Sequence, residues 1–207
     1  MSKNPGAAAF EPDFIAGLKQ IFEHKVPFNE VLGLTIVSLA PKRVVGRVDM
    51  KPELVGHFAH NRLHGGVISA GLDTMGGLAV IAAIAGRHMD EPAAQRLHRF
   101  AKLGTIDLRI DYLRQGIGDH FELRAEVLRL GSRVASTRME FLGADGELLA
   151  TGAQPTSSPD LGLPRTLEAA ACLFPFNSCG RMPADCFSSR TLPGIRRSLP
   201  IPRRSQP

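Results

Sequence analysis

The chain has 207 residues, 43% hydrophobic and 22% charged, proportions ordinary for a soluble globular protein with one core domain and room for an appendage. Its formal charge of +5 is uneven: residues 159–207 hold seven Arg against Asp160, Glu168 and Asp185, so the other 158 residues carry only +1. The basic character belongs to the C-terminal stretch, and nucleic acid is excluded as the expected partner of the folded part.

Residues 1–14 lack the basic-then-apolar pattern of a secretory leader, and a cytoplasmic location is expected. Phe14, Ile15, Leu18, Ile21 and Phe22 recur at helical spacing and predict an amphipathic lead-in helix over residues 11–25, closed by Pro27. Residues 1–26 are therefore set apart from a domain over residues 27–154. Residues 32–39 read as a strand, and Val44, Gly46, Val48 and Met50 alternate with Arg43, Arg47 and Asp49 in a second. An irregular approach over residues 52–63 leads to a long apolar helix over 65–86. The run 67–85 is nearly long enough to span a bilayer, but Asp73 and the glycines in and around it suit a buried core helix, so no membrane insertion is expected.

After a charged segment with a short helix around residues 92–102, apolar and polar residues alternate over 106–112, 121–127 and 135–141. Asp145-Gly146 signals a hairpin turn before a last strand over 147–153. Such alternation predicts an antiparallel sheet solvated on one face, and the helix that is apolar nearly all round must fill the other. The expected class is α+β, with five or six antiparallel strands wrapped around one long central helix.

The richest stretch is residues 57–77, HFAHNRLHGGVISAGLDTMGG. His64-Gly65-Gly66 opens the long helix, and a helix that begins on glycine presents unpaired N–H groups and a positive dipole end to an oxygen gaining negative charge. Asp73, a lone carboxylate within the apolar run, is a candidate general base. Its structural alternative is a helix residue satisfied by an Arg or a hydroxyl; that of Gly65 is a space-saving turn. Together the two point to acyl transfer, with the N–H of Gly65, and that of Gly66 beside it, as oxyanion donors. No Gly-x-Ser-x-Gly elbow occurs, so a serine nucleophile is not expected. Along one helix Gly65 and Asp73 lie about 12 Å apart, too far for a single chain to supply both groups to one carbonyl. Two copies related by a two-fold axis are expected to share each site.

The segments PFNEVLGL (27–34), MKPELVG (50–56), LHGGVISAGLD (63–73), LGTIDLRIDYLR (103–114) and RVASTRMEF (133–141) resemble the PaaI-type hotdog-fold thioesterases, and among them the YigI-like medium/long-chain acyl-CoA thioesterases. The resemblance implies a hotdog fold and hydrolysis of medium- to long-chain fatty acyl-CoA to free fatty acid and CoA, with no cofactor. It implies a homodimer, often paired again into a tetramer. Asp73 would activate water or attack directly, and Thr105 matches a hydroxyl residue that orients the water; a strand threonine chosen for propensity alone is its structural alternative. His64 would help hold the thioester or cap the helix entry.

There are departures from the family pattern. His57 stands where an Asn usually precedes the glycines, and Asn61 is closer but out of register; both are kept with Gly66 as substrate-binding candidates. Gln115 follows YLR where Pro is common. Arg114, Arg133 and Lys102, at strand ends and loops, are candidates for the CoA phosphates. The change at His57 leaves a second reading, a non-catalytic acyl-thioester-binding or scaffold protein. A hydratase needs a D-x-N-P-x-H arrangement that Gly118-Asp119-His120 lacks. Residues 155–207 read as a disordered extension, with eight of the 15 prolines from residue 159 onward. Cys172, Cys179 and Cys186 lie there without a histidine, so a metal site lacks a fourth ligand and none is expected.

Overall fold

The computed structural model describes residues 10–99 and 103–157. The chain enters through α1 (Pro12–Lys19), which opens on a proline and buries Phe14 and Leu18, one turn apart. The lead-in helix does not continue unchanged to residue 25: Gln20–Lys25 widens into a π-helical turn, and Val26 becomes extended, as a residue before proline prefers. Pro27 then opens α2 (Pro27–Leu32), so the strand expected from residue 32 begins only at Leu34. Gly33, at φ +68°, ends α2 in the left-handed conformation that glycine adopts without strain.

Next come β1 (Leu34–Leu39), β2 (Arg43–Asp49), and the short β3 (Val55–His57) and β4 (Arg62–Leu63), which pair with each other. The long helix α3 (Gly65–Ala85) follows, then α4 (Ala93–His98), β5 (Gly104–Thr105), β6 (Arg109–Tyr112), β7 (His120–Leu130), β8 (Val134–Gly143) and β9 (Leu148–Ser157). The main sheet has seven strands in the order β1-β2-β7-β8-β9-β5, with β6 also on β9. Since β5 and β6 succeed one another along the same strand, the sheet has six positions, and every pairing is antiparallel.

By length and composition α3 is apolar enough to cross a membrane, yet 67% of its most apolar window is buried inside the protein. Leu72, Met75 and Leu78 are wholly covered, and the inward residues Phe121 and Leu123 of β7 and Met139 and Phe141 of β8 form the facing layer. A helix apolar nearly all round needs cover on more than one side, and the curled sheet supplies most of it.

The stretch 106–112 departs from its expected inward-outward alternation. Residues 106–108 interrupt it, and Ile106 and Tyr112 are 56% and 54% exposed. This is the last position of the sheet, with no further strand among the described residues to cover its outer edge.

Arg96 of α4 gave no sign in the sequence of being internal. Its guanidinium is buried 4.5 Å over the Phe14 ring, touches Met89 Sδ and pairs with Glu11, tying α4 to α1. Burial lowers its pKa from the usual arginine value. Nearby, Arg99 binds both carboxylate oxygens of Glu91.

Candidate active site

Asp73 lies in the third turn of α3, and its side chain meets the sheet at β5 and β9. Thr105 Oγ1 donates to Asp73 Oδ1 at 2.8 Å. Gln154 Nε2 donates to the same oxygen at 2.9 Å and to Thr105 Oγ1 at 2.7 Å. The three side chains close a triangle in which Oδ1 accepts twice. Oδ2 has no partner among the described residues.

The next residue along α3 organises the ground beside the carboxylate. Thr74 Oγ1 donates to the buried Asn29 Oδ1 at 3.2 Å, and Asn29 Nδ2 donates to the Phe22 carbonyl at 2.9 Å. This pins the π-helical turn against α3. A hollow of about 330 Å³ results, in which Asp73 and Thr105 are joined by the apolar side chains of Ile21, Phe22, Val26 and Ile81.

The other end of the motif is the N-terminus of α3. His64 is its cap: Nδ1 accepts from the Gly66 N–H at 2.8 Å, and the His64 carbonyl accepts from Val67 N at 2.9 Å. Only the N–H of Gly65 is left without an acceptor among the described residues. The Tyr112 hydroxyl donates to the Gly65 carbonyl at 3.1 Å. A hollow of about 380 Å³ opens here, bordered by His64, Gly65, Tyr112 and Arg114. It shares no lining residue with the hollow at Asp73.

The remaining candidates are scattered. The N–H of Gly66 is taken by its own cap, which corrects its place as a second donor. Arg114 borders the Gly65 hollow but is engaged with Glu147 at 2.7 Å and with the Leu148 carbonyl. Arg133 sits in the β7–β8 turn, exposed and outside both hollows. His57 stacks on His60 with ring centroids 4.9 Å apart, and its Nδ1 is buried without a partner among the described residues. Asn61 takes a left-handed conformation (φ +43°) and faces a third hollow with Lys51 and Phe58. Neither His57 nor Asn61 lines either hollow, although their neighbours Gly56 and Arg62 border the one at Gly65. Lys102 and the three cysteines lie outside the described residues, among which no cluster of His, Cys, Asp and Glu could hold a metal.

Gln154 was missed. The signal was its register on β9: Ala150, Gly152, Gln154 and Thr156 pair with the inward residues Phe141, Met139, Thr137 and Ala135 of β8. An amide in that row must be buried.

A curled antiparallel sheet around one long helix, with a carboxylate and a glycine N-terminus on that helix, is a hotdog fold with the groups of a thioester hydrolase. The thioesterase superfamily profile matches residues 60–150. The medium/long-chain acyl-CoA thioesterase YigI of Salmonella typhimurium is 36% identical over 126 residues, 61% of this chain and 81% of that relative. Its Escherichia coli counterpart is 36% identical over 121 residues, 58% of this chain and 78% of the relative. The chain belongs to the thioesterase superfamily. Among solved structures, a Shewanella oneidensis protein described as related to that superfamily superposes with a TM-score of 0.66 at 35% identity, covering 72% of this chain and 99% of its own. A thioesterase family protein from Silicibacter pomeroyi shares the fold, with a TM-score of 0.56 at 23% identity over 69% of this chain and 96% of its own.

Proposed function

We propose that this protein is an acyl-CoA thioesterase that hydrolyses medium- to long-chain fatty acyl-CoA to free fatty acid and CoA. The observation that carries the reading is the carboxylate of Asp73, with one oxygen held by Thr105 and Gln154 and the other open beside an apolar hollow. Oδ2 takes a proton from water as the water oxygen attacks the thioester carbonyl. The oxyanion is received by the N–H of Gly65, a donor whose kind is worth on the order of 10²–10³ in rate. The carbon–sulfur bond then breaks, and the proton returns to the departing thiolate. Direct attack by Asp73, with water hydrolysing the resulting anhydride, uses the same groups. Ile21, Phe22, Val26 and Ile81 offer the acyl chain an apolar wall.

Base and oxyanion donor open into separate hollows of one chain, which supports a site completed by a second copy. Two α3 helices packed antiparallel about a two-fold axis bring Gly65 of one beside Asp73 of the other, twice per dimer. Ile106, Tyr112, Leu113 and Ile117, large apolar residues exposed at and just beyond the last sheet position, support that partner. Two such dimers pairing again belongs to the same reading.

His57, standing where the family pattern has Asn, favours a second reading, an acyl-thioester-binding protein without turnover. Thiol release from acyl-CoA of graded chain length separates the two. The expected result is turnover by the parent chain and a fall in kcat of about 10²–10⁴ in Asp73→Asn, with the fold intact by circular dichroism. Near-parent turnover in that variant overturns the catalytic reading; no turnover by the parent chain leaves the binding one.

A further inference from the structure

Gln154 is 1% exposed in β9, on the face turned toward α3. A polar side chain at such a position is destabilising unless its hydrogen bonds are made. Both hydrogens of Nε2 are engaged, on Asp73 Oδ1 and Thr105 Oγ1, while Oε1 is buried without a partner among the described residues. The opposite orientation of the amide would press Oε1 against a carboxylate oxygen, so the donors face Asp73.

The helix makes room for this amide. Gly76 lies three residues after Asp73, on the same side of α3. A Cβ there would stand 1.9 Å from Gln154 Oε1 and 2.6 Å from Met139 Sδ. A glycine inside a helix is itself unfavourable relative to alanine. Two local departures from what stability alone selects, a buried amide with an orphaned oxygen and a mid-helix glycine, thus converge on one carboxylate.

We infer that Gln154 is a positioning residue for Asp73: with Thr105 it fills Oδ1, fixes the plane of the carboxylate and presents Oδ2 to the attacked thioester. Gly76 is the space that admits it. This rests on the reading of Asp73 as the catalytic base or nucleophile.

The test is a double-mutant cycle on the full chain, with kcat and KM for acyl-CoA read by thiol release and slow variants followed at excess enzyme. Gln154→Met keeps length and removes the donors. The expected result is a fall in kcat of roughly tenfold with KM within about twofold. In the Asp73→Asn background the same change should alter the residual rate by less than about twofold, because its target has already been removed. A residue that only props up the sheet costs the same factor in both backgrounds, and that outcome overturns the inference, as does parent kcat in Gln154→Met. Should Gln154→Met fail to fold, Gly76→Ala serves in its place: it displaces the amide yet keeps every donor, and unchanged kcat in it overturns the inference. If Asp73→Asn keeps parent turnover, the catalytic reading fails and this inference with it. If Asp73→Asn is inactive while the Gln154 arms give either contrary outcome, this inference alone fails.

Discussion

At Thr105 a single hydroxyl donates a hydrogen bond to Asp73 and accepts one from Gln154, so removing it breaks two links of the triangle together. Thr105→Val, nearly isosteric, is expected to lower kcat roughly tenfold with little effect on melting temperature, whereas Thr105→Ser keeps the hydroxyl and most of the rate. Steady-state kinetics beside thermal melts check this; equal losses in both variants would show that the methyl group, through packing, is what matters. Asp73 and Gly65 were legible in the sequence because their signals are local: an acid interrupting an apolar helix, and a glycine pair where a helix begins. Gln154 was not, because its meaning lies 81 residues away from Asp73, and only strand register shows that its side chain turns inward. The availability of N–H groups was equally hidden: His64 caps through Nδ1 and takes the donor of Gly66, leaving Gly65 alone.

Among the elements, α4 is bracketed by charge: Glu91 before it pairs with Arg99 after it, while Ala93 and Leu97 pack against the core. The carboxyl of Glu91 is held below the usual carboxylate pKa, first because of its hydrogen bond to Arg99, with the charge of Arg99 and of His88 adding to it against the opposing effect of burial. A carboxyl whose folded pKa is depressed adds stability that is full above its ordinary value of 4.5 and is lost as pH falls through the folded value. Glu91→Gln should therefore lower stability at pH 7 by about 1 kcal/mol, roughly 2–4 °C in melting temperature. The gap to the parent should close in acid, below the folded value. Melts at both pH values decide it; a gap that persists in acid would place the effect in packing instead. The long alternating strands and α3 were readable because period 2 and an apolar run survive in any context. The helix α2 was not: PFNEVL carries too few residues for a period, Pro27 that opens it reads as the close of the helix before, and Gly33 that ends it falls inside the strand expected over residues 32–39.

For the whole molecule, the shared site predicts complementation between two inactive chains. Asp73→Asn removes the base. Gly65→Pro removes the single open N–H at a first-turn position, and His64, at ψ 134°, already has the extended backbone that a following proline requires. Random re-pairing makes about half the dimers mixed, each with one intact site of two, so activity should return to roughly a quarter of the parent value. No recovery, with mixed dimers shown to form and both variants folded, rules out sharing. A second expectation concerns residues 159–207. Because β9 ends at Ser157, truncation after Ser158 keeps every described strand and both hollows, and turnover and melting temperature should stay near those of the full chain. A drop of several degrees would assign the removed residues a structural part.

The position of α3 in the chain also fixes an order in time. Its last residue, Ala85, is synthesised well before β7, β8 and β9, which end at Ser157 and supply most of its cover. At about 5–20 residues per second, an emerging chain waits roughly 4–14 s between completing the helix and completing the wrap. During that interval the helix that fills the finished core has only α2 and β2, already made, to lie against, and most of its apolar surface waits for strands not yet synthesised.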